Sequence, residues 1–358
     1  MLHAKLAPSS ASRRASCPGS RALEAQYPEA SISQSSREGT AAHFAAQQFL
    51  LHGYCIEITD LSGEPITKEM LDGADLYEHE VKGKAQKNIL HIEEKVDISI
   101  IHPECWGTPD CWTLVDNHLH IFDYKFGHGF IEVFENWQLL EYAAGISQLV
   151  SFEKVTMTIV QPRSYTREGP IRSWTIDAAD LSGYMDKLRN IEFRAMEPEA
   201  VCIPSPECMH CTGRHACTAL QKTTGRFMDV ALASLAWDLD SRQTAWELKH
   251  LRSAAQLIEA RMTGLEEQAK SMILRGEYLP GFKLEPGQGR EHWTKETAEV
   301  ITLGELMGLN LSKPSEVITP AQARKIGIHE DILAQYSQRI PGKLKLVEDN
   351  SAAKVFRK

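Results

Sequence analysis

The sequence predicts a mixed α/β fold in which helices flank a central sheet. Short apolar runs with the period of strands fill much of residues 89–125, which indicates a group of neighbouring strands. An amphipathic helical segment follows at residues 133–149, and a strongly β-prone run returns at residues 155–160. A strand–strand–helix–strand order of this kind predicts a mixed sheet.

Two helices are expected before the sheet. Residues 37–52 are rich in strong helix formers and are followed by Gly53, a typical helix stop. Thr67 is well placed to cap a second, more charged helix that runs to about Lys87. Neither segment has the character of a strand.

The pairing of two predicted strands follows from the residues between them. Asp116 and Asn117 form a short loop of a kind that tolerates the positive φ of primed hairpin turns. The two flanking strands should therefore be antiparallel neighbours. Strands in this region are predicted at residues 89–92, 96–98, 111–115 and 118–125.

Beyond residue 160 the pattern predicts one more strand and one more helix before the chain becomes irregular. The strand covers residues 170–176, and Asp177 is expected to cap a helix that runs to about Met196. Prolines then break the chain into a loop that carries several cysteines; they are Pro198, Pro204 and Pro206.

The length of the chain, 358 residues, suggests more than one domain. Residues 1–220 are predicted to form one domain that is closed by cysteines from both its ends. Residues 221–278 have long helical spacing without a catalytic pattern and are expected to form a helical extension. Residues 279–358 are expected to form a small accessory α+β region with a loose tail.

Composition limits the classes of function. The formal net charge of −9 argues against a protein coated in positive charge, so any contact with nucleic acid must be local. No apolar run approaches the roughly 20 residues needed to span a bilayer, and the sequence predicts a cytoplasmic protein. The GxxxxGK[ST] phosphate loop of ATP-driven motors does not occur in the sequence.

The tripeptide Asp123-Tyr124-Lys125 is the first candidate for a catalytic site. Asp123 and Lys125 lie two residues apart on a predicted strand, so they face the same way while Phe122 and Tyr124 face the other. Asp110, just before the partner strand, can reach the same edge of the hairpin. The tripeptide pattern is weak alone, because it recurs on what should be solvated faces, at Glu80-Lys82, Glu93-Lys95 and Glu247-Lys249.

The chemistry that suits such a group is metal-assisted cleavage of phosphodiesters. A general acid–base pair contributes only about 10²–10⁴ in rate, and divalent metals supply more by neutralising phosphate charge and binding the attacking water. Mg²⁺ prefers oxygen ligands and keeps several waters, so one or two carboxylates and a carbonyl suffice. Lys125 would orient or help to deprotonate the water, or stabilise charge on the phosphate.

The order of these residues resembles the RecB-like branch of the PD-(D/E)xK nucleases. The matching positions are His43 in the segment GTAAH, Asp110 in GTPD, Asp123 with Lys125, and Gln138 with Tyr142 in QLLEY. The resemblance implies a restriction-endonuclease-like core. It also implies that His43, Asp110, Asp123 and the backbone carbonyl of Tyr124 bind Mg²⁺ or Mn²⁺, while Gln138 and Tyr142 steady Lys125 or the DNA strand.

A second group of candidates is the cysteine spacing Cys208-x2-Cys211-x5-Cys217, which is too tight to be coincidental packing. Thiolates suit Zn²⁺ and an iron–sulfur cluster equally well, and composition does not separate the two. A local Zn²⁺ site could be completed by any of three further residues, Cys202, His210 or His215.

The cysteines also carry a resemblance, to helicase-nucleases of the AddB type and to the exonucleases of CRISPR adaptation. Those proteins hold a [4Fe-4S] cluster with one cysteine before the nuclease core and a C-x2-C-x5-C after it. Here Cys17 matches the first cysteine, and the resemblance implies an iron–sulfur cluster on Cys17, Cys208, Cys211 and Cys217. Such a cluster would join the N-terminal segment to the end of the nuclease core.

The expected function is therefore that of a metal-dependent DNA exonuclease acting on single strands or duplex ends. The segment from Ser9 to Thr40 resembles an uncharacterised phage-encoded family. That likeness implies a role in phage recombination or DNA processing in the cytosol of a bacterium or a phage-infected host, beside a single-strand annealing or single-strand-binding protein. Arg163, Tyr165 and Arg167 are candidates for DNA contacts, although a plain solvated loop fits them equally well.

Two alternatives from other classes remain open at this point. One is a catalytically silent nucleic-acid-binding scaffold that keeps the fold. The other is a zinc-binding adaptor whose function lies in the cysteine loop.

Overall fold

The computed structural model describes residues 4–28, 33–164, 169–231, 240–287, 291–311, 320, 323, 328, 330–339 and 344–348. Residue contacts divide the chain into two compact units, Met1–Gly264 and Leu265–Lys358. The three-region division expected from the sequence stays a prediction.

The first unit is a mixed α/β structure built on a five-stranded sheet. Its strands are β1 (His91–Ile92), β2 (Val96–Asp97), β3 (Trp106–Gly107), β4 (Cys111–Val115), β5 (His118–Tyr124), β6 (Lys154–Val160) and β7 (Ile171–Asp177). The order in the sheet is β1-β4-β5-β6-β7, and the short strands β2 and β3 pair with each other. The β5–β6 pair is parallel and the other three pairs of the sheet are antiparallel, so the predicted mixed sheet is confirmed.

The predicted hairpin between β4 and β5 is confirmed. Asp116 and Asn117 both have positive φ, 46° and 60°, as primed hairpin turns require. The register places Cys111 opposite Phe122 and Val115 opposite His118. The first residue of β4 therefore lies beside the end of β5 in the sheet.

Helices cover both faces of the sheet. On one face, α3 (Gln34–His52) and α4 (Lys68–Ala85) pack against Phe122 and Tyr124 of β5. Four alanines of α3, at positions 41, 42, 45 and 46, are buried there. On the other face, α5 (Trp137–Ile146) and α6 (Ala178–Met196) pack against Leu119 and Ile121. The alternation along β5 therefore agrees with the prediction that Phe122 and Tyr124 face away from Asp123.

Capping explains where these helices begin. Thr67 caps α4 through its side chain, as predicted, and Gly53 with φ 80° ends α3. Helix α5 was predicted from residue 133 but begins at Trp137, because the Asn136 side chain accepts the N–H of Leu139. Asp177 does precede α6, but its side chain makes no capping bond and lies 4.0 Å from Lys154 Nζ instead.

The N-terminal segment forms structure that the sequence did not predict. A 3₁₀ turn (Pro8–Ser10) leads into α1 (Ala11–Ser16), and α2 (Ser20–Glu24) follows. Between the two helices, the N–H of Gly19 donates to the Val201 carbonyl at 3.0 Å. A Cβ at Gly19 would lie 2.6 Å from the Ala200 carbonyl oxygen, so this close approach requires glycine.

The remaining elements follow the cysteine loop. Helix α7 (Thr218–Ala231) and the long α8 (Ser241–Leu274) lie where the sequence predicts helices. In the second unit, Phe282–Pro286 pairs with Leu344–Glu348 and Glu291–Trp293 with Ser337–Arg339, both antiparallel. The described residues of this unit also include the helices Thr297–Leu306 and Glu330–Tyr336 and the last turns of α8. Among the described residues, no helix combines the length and the apolar character needed to cross a membrane.

Candidate metal centre and cysteine cluster

Three carboxylates form one row across three neighbouring strands. The pairs Ile92–Cys111 and Cys111–Phe122 fix the registers of β1, β4 and β5. One step beyond these pairs, Glu93 stands beside Asp110, and Asp110 stands beside Asp123. The Glu93 N–H donates to the Asp110 carbonyl at 3.2 Å, which holds the first two together. Because residues opposed on antiparallel strands point to the same face, the row concentrates negative charge at one edge of the sheet.

His43 of α3 joins this row from the helical layer. Its Nδ1 lies 3.3 Å from Asp110 Oδ1. One ligand atom each of His43, Glu93 and Asp110 lie within 4.8 Å of one another, the only such group of three or more His, Cys, Asp or Glu residues in the described part of the chain. Octahedral Mg²⁺ with oxygens at about 2.1 Å separates its ligands by about 3–4 Å, so this group needs only a small closure to fit a divalent cation.

Asp123 lies at the other end of the row and is held by different partners. Its Oδ2 is 3.1 Å from Lys125 Nζ, and its Oδ1 accepts a hydrogen bond of 3.0 Å from Gln138 Nε2. Lys125 Nζ also donates to Gln138 Oε1 at 3.3 Å. Gln138 therefore bridges the carboxylate and the ammonium group from the N-terminal turn of α5.

Tyr124 and Tyr142 hold the loop before β4 in place. The Tyr124 N–H donates to Asp110 Oδ2 at 2.6 Å, and the Tyr124 ring is fully buried against α3 and α4. The Tyr142 hydroxyl donates to the Thr108 carbonyl at 3.1 Å. Tyr142 thus contacts the loop that carries Asp110, one turn of helix beyond Gln138.

The pKa values show how strongly these charges interact. Burial and the Asp110 carboxylate raise the pKa of Asp123 to about 6, although Lys125 opposes the shift. Glu93 as a residue is exposed, but its carboxylate is partly shielded from solvent and faces the Asp110 charge. These two effects raise the pKa of Glu93 to about 7. The site therefore carries negative charge that Lys125 and His43 leave uncompensated, and a divalent cation is a suitable counter-ion.

The remaining shifts involve the two cations and the central carboxylate. Burial opposes charge on Lys125, but Asp123 and Asp110 outweigh it and raise the pKa of the amine. Burial likewise opposes charge on His43, and the Asp110 carboxylate raises the pKa of the ring. The pKa of Asp110 itself is lowered despite its burial, because His43 and Lys125 face it and Tyr124 donates to it.

Glu93 is the site residue that sequence reasoning missed. The pattern Glu93-Lys95 was expected to lie on a solvated face, and the side chain is indeed exposed, but its carboxylate stands beside Asp110. A signal was present, because Glu93 directly follows an apolar strand, and Asp123 likewise lies near the end of one. Its placement depends on the β1–β4 register and on a left-handed backbone with φ 52°, neither of which the sequence reveals.

The three residues considered for DNA contacts have different outcomes. Arg163 makes two hydrogen bonds to Glu69, at 3.0 and 2.7 Å, and a weaker one to Glu38 at 3.4 Å. Its guanidinium also lies 3.8 Å from the centre of the Phe126 ring. These contacts compensate its charge within the fold. Tyr165 and Arg167 lie outside the described residues.

The predicted cysteines converge on one cavity. Cys17 of the N-terminal segment lines it together with Cys208, Cys211 and Cys217 from the loop before α7. Cys202 lines the same cavity, and so do Arg13 and Arg214. Burial, followed by the neighbouring Cys17 and Cys217 thiols, raises the pKa of Cys202 to about 12.

Backbone N–H groups point at the sulfurs of the four predicted ligands. Ile203 donates to Cys17 Sγ at 3.2 Å, Ser205 to Cys208 Sγ at 3.4 Å and Leu220 to Cys217 Sγ at 3.4 Å. The Gly213 N–H plays the same part for Cys211. Such donors stabilise negative charge on sulfur, which a metal-bound thiolate carries.

The spacing of the thiols bears on what they could hold. In a tetrahedral Zn²⁺ site with Zn–S bonds of about 2.3 Å, the sulfurs are about 3.8 Å apart. In the described part of the chain, no three cysteines have all their sulfurs within 4.8 Å of one another. No three of the described cysteines are therefore as close together as the ligands of a Zn²⁺ ion.

The chain is similar to a protein family and to solved structures. A family model with the description "Protein of unknown function (DUF2800)" matches residues 3–354. Among solved structures, one described as "Crystal structure of SSO0001" is 11% identical, and the match covers 56% of this chain and 95% of that one with a TM-score of 0.26.

Proposed function

The chain belongs to the DUF2800 family of proteins of unknown function, and we propose that it is a divalent-metal-dependent nuclease that hydrolyses phosphodiester bonds of DNA. The proposal includes a PD-(D/E)xK core of the RecB-like branch and attack from DNA ends. It rests on the residues of the metal centre, considered together with the order in which they occur in the sequence.

One observation carries the proposal. Asp123, Lys125 and Gln138 form a closed set of hydrogen bonds at the end of β5, and Asp110 with His43 stands beside them. One edge of the sheet thus holds three kinds of group: carboxylates that can bind a metal, a fixed cation, and an amide that positions both. A site for phosphodiester hydrolysis needs these three kinds of group together.

His43, Asp110, Asp123 and the carbonyl of Tyr124 are the groups proposed to hold Mg²⁺ or Mn²⁺. Oxygen donors with one imidazole suit these hard cations. When bound, such a cation neutralises phosphate charge and activates water for attack on phosphorus. The uncompensated charge of the carboxylate row is the feature of the site that supports this assignment.

Lys125 is proposed to act as a fixed cation. Asp123 and Asp110 raise the pKa of its amine, so the side chain stays protonated at neutral pH. A protonated amine donates hydrogen bonds to the attacking water and to the phosphate oxygens, where negative charge grows in the transition state. Gln138 keeps the Lys125 amine beside Asp123, so it is a positioning residue.

The cysteines are proposed to hold a [4Fe-4S] cluster on Cys17, Cys208, Cys211 and Cys217. The backbone donors to these sulfurs support metal-bound thiolates, and the resemblance of the cysteine spacing favours a cluster over a single zinc ion. The cluster would tie the N-terminal segment to the loop that follows α6. Its proposed role is structural.

The resemblance found in the sequence extends the proposal to a setting. A phage or prophage enzyme of recombination or DNA processing would act in the cytosol of a bacterium, beside a single-strand annealing or single-strand-binding protein. This step is analogy between families. The candidate partner is such a single-strand annealing or single-strand-binding protein.

The test is cleavage of DNA by anaerobically purified protein in Mg²⁺ or Mn²⁺. Linear single-stranded and duplex substrates, labelled at one end, are compared with closed circles of the same sequence. We expect cleavage of the linear DNA only, and a loss of about 10²–10³ in rate for Asp123→Asn and Lys125→Met. Both variants preserve the size of the side chain.

A control for this test is Lys82→Met, which changes the lysine of another acid-x-Lys match. Lys82 lies on the exposed face of α4 and pairs with Glu78, so its loss should leave the rate unchanged. No cleavage by the parent protein, or equal rates for the parent and Asp123→Asn, would reject the nuclease and favour the silent DNA-binding scaffold.

A further inference from the structure

We propose that an aromatic cavity beside α6 binds one unpaired nucleobase of the DNA strand. The inference rests on the proposed nuclease function for its meaning, but the cavity shares no residue with the metal centre. Three aromatic side chains, two charged ones, an isoleucine and a glycine line it; they are Phe134, Trp174, Ile176, Asp180, Gly183, Tyr184 and Lys187.

The walls of the cavity are aromatic rings from three separate parts of the chain. Trp174 of β7 contacts Phe134, which precedes α5, with ring centres 5.2 Å apart. It also contacts Tyr184 of α6, with ring centres 5.6 Å apart. Phe134 is 57% exposed, and the other two rings are half-buried, so part of each remains open for a flat ligand to stack on. The cavity has a volume of about 390 Å³, which lies within the roughly 300–1,000 Å³ of sites for small ligands.

Gly183 leaves this space open. It lies in the middle of α6, where glycine weakens a helix relative to alanine. A Cβ at this position would have no atom of the described chain within 4 Å, so contacts within the fold do not require glycine here. Because Gly183 lines the cavity, a larger side chain would instead occupy space that a ligand needs.

Glu135 joins two of the walls. Its φ of 50° is unusual for a residue with a side chain, and its carboxylate accepts a hydrogen bond of 3.1 Å from the Tyr184 hydroxyl. Phe134, the residue before it, packs on Trp174. An unfavourable backbone conformation is thus kept where two walls of the cavity meet, which is typical of binding sites.

The two charged groups of the cavity suit a nucleotide. Asp180 and Lys187 lie about two turns apart on α6, and the Lys187 ammonium stands 4.7 Å from the centre of the Tyr184 ring. A carboxylate accepts hydrogen bonds from amino groups on the edge of a base, and an ammonium group binds phosphate. An organic cation, the other ligand that aromatic walls attract, would meet the like charge of Lys187.

The cavity lies on the same face of the sheet as Asp123. In the register of the sheet, Asp123 pairs with Ile159, and Ile159 pairs with Arg172. Trp174 follows Arg172 by two residues on β7, so their side chains share that face. The spacings of strands and residues place Trp174 about 12 Å from Asp123. This distance corresponds to a few nucleotides along a DNA strand.

The test measures how tightly a short, fluorescein-labelled single strand of DNA binds in the presence of a chelator, so that no cleavage occurs. Gly183→Leu places a side chain in the cavity and should raise Kd about tenfold, because stacking of one base is lost. Phe134→Ala should have a similar effect. Gly83→Leu is the matched control, since Gly83 is a helical glycine of α4 with the same open surroundings but does not line the cavity.

A strand of abasic nucleotides separates the base from the phosphates. It should bind the parent and Gly183→Leu equally, because it has no base to stack. Thermal melts should show both leucine variants to be at least as stable as the parent, since each replaces a helical glycine. Weaker binding by Gly183→Leu then reports on the cavity and not on the fold.

Three results would decide against the proposal or separate it from the nuclease function. Equal Kd values for the parent, Gly183→Leu and Phe134→Ala would overturn it, even in a protein that cleaves DNA. Binding of tetramethylammonium that only Gly183→Leu loses, with DNA binding unchanged, would make the cavity a cation site and overturn it as well. A selective loss of DNA binding in a protein that cleaves no DNA would support the base cavity and reject the nuclease.

Discussion

Arg14 in the N-terminal segment and Glu141 in the middle of α5 form an ion pair that is almost completely buried. Arg14 Nη2 lies 3.2 Å from Glu141 Oε1, and the side chains are 3% and 0% exposed. The same guanidinium reaches Glu192 of α6 at 2.5 Å and the Ala7 carbonyl at 2.8 Å. Arg14 therefore joins the N-terminal segment to both helices on this face of the sheet.

This pair lies directly behind the candidate metal centre. Glu141 is between Gln138 and Tyr142 on α5, and these two contact Asp123 and the loop that carries Asp110. Pro8 packs against Gly107 at the start of that loop. The N-terminal segment thus connects the cysteine cavity, which it enters at Cys17, with the helix that positions the metal centre.

Removal of Arg14 should strongly destabilise the protein. Arg14→Met leaves two buried carboxylates without their cation, and breaking a buried pair in this way costs about 3–5 kcal/mol. Urea unfolding measures the change. Lys5→Met is the matched control. Lys5 lies in the same N-terminal segment as Arg14 and pairs with Glu104, but both side chains are exposed. Its loss should therefore cost no more than about 1 kcal/mol. Equal midpoints for the two variants would contradict this account.

Much of the fold follows from local sequence signals. The Asp116-Asn117 turn, the Thr67 cap and the alternation along β5 are each set by residues close in the chain, and each was predicted. The candidate residues His43, Asp110, Asp123 and Gln138 were predicted to form one site because they occur in a recognisable order. The structure brings them together at one edge of the sheet.

What the sequence did not reveal depends on contacts between distant residues. Arg14 meets Glu141 and Glu192 only after both helices have packed on the sheet, 127 and 178 residues away. Glu93 reaches Asp110 through a strand register and a left-handed backbone. Neither feature has a local pattern, since a charged residue with a buried partner looks in the sequence like one on the surface.

The metal-free protein should lose stability as pH rises. The pKa of Asp123 is raised from an ordinary 3.8 to about 6 in the folded state. The unfolded chain therefore releases this proton at lower pH, and stabilisation present below pH 4 is lost as pH rises through 6. Asp123→Asn should remove this dependence and be more stable than the parent at pH 8, by up to a few kcal/mol.

Urea unfolding of both proteins at pH 5 and pH 8, with a chelator present, measures this effect. Addition of Mn²⁺ at pH 8 should restore the stability of the parent, because the ion replaces the missing positive charge. If the parent instead becomes more stable relative to Asp123→Asn between pH 5 and pH 8, the pKa of Asp123 is not raised in the folded protein.

Gln138 should affect turnover more than DNA binding. Gln138→Ala removes the amide that holds Asp123 and Lys125 in register, and loss of such outer partners typically costs about 10–100-fold. We expect this loss to appear in kcat, while KM for DNA stays nearly unchanged. Gln148→Ala, beyond the end of α5 where the amide donates to the Asp97 carbonyl, should behave like the parent. A change confined to KM would instead place Gln138 on the DNA.

The five cysteines at one cavity allow a sharp test of the ligand set. Backbone donors face Cys17, Cys208, Cys211 and Cys217, while Cys202 lines the same cavity beside them. Cys17→Ala should therefore lose the brown colour and most of its iron and sulfide, because one of four ligands is gone. Cys202→Ala should keep about four irons per chain. Iron analysis of anaerobically purified protein measures both.

The opposite result would reassign the site. If Cys202→Ala loses its iron and Cys17→Ala keeps it, then Cys202 is the fourth ligand and the N-terminal segment is held by Arg14 without help from a cluster. Zinc in place of iron and sulfide would support the adaptor alternative. In that case the sulfurs must move closer than the structure has them, since a zinc ion requires about 3.8 Å between neighbours.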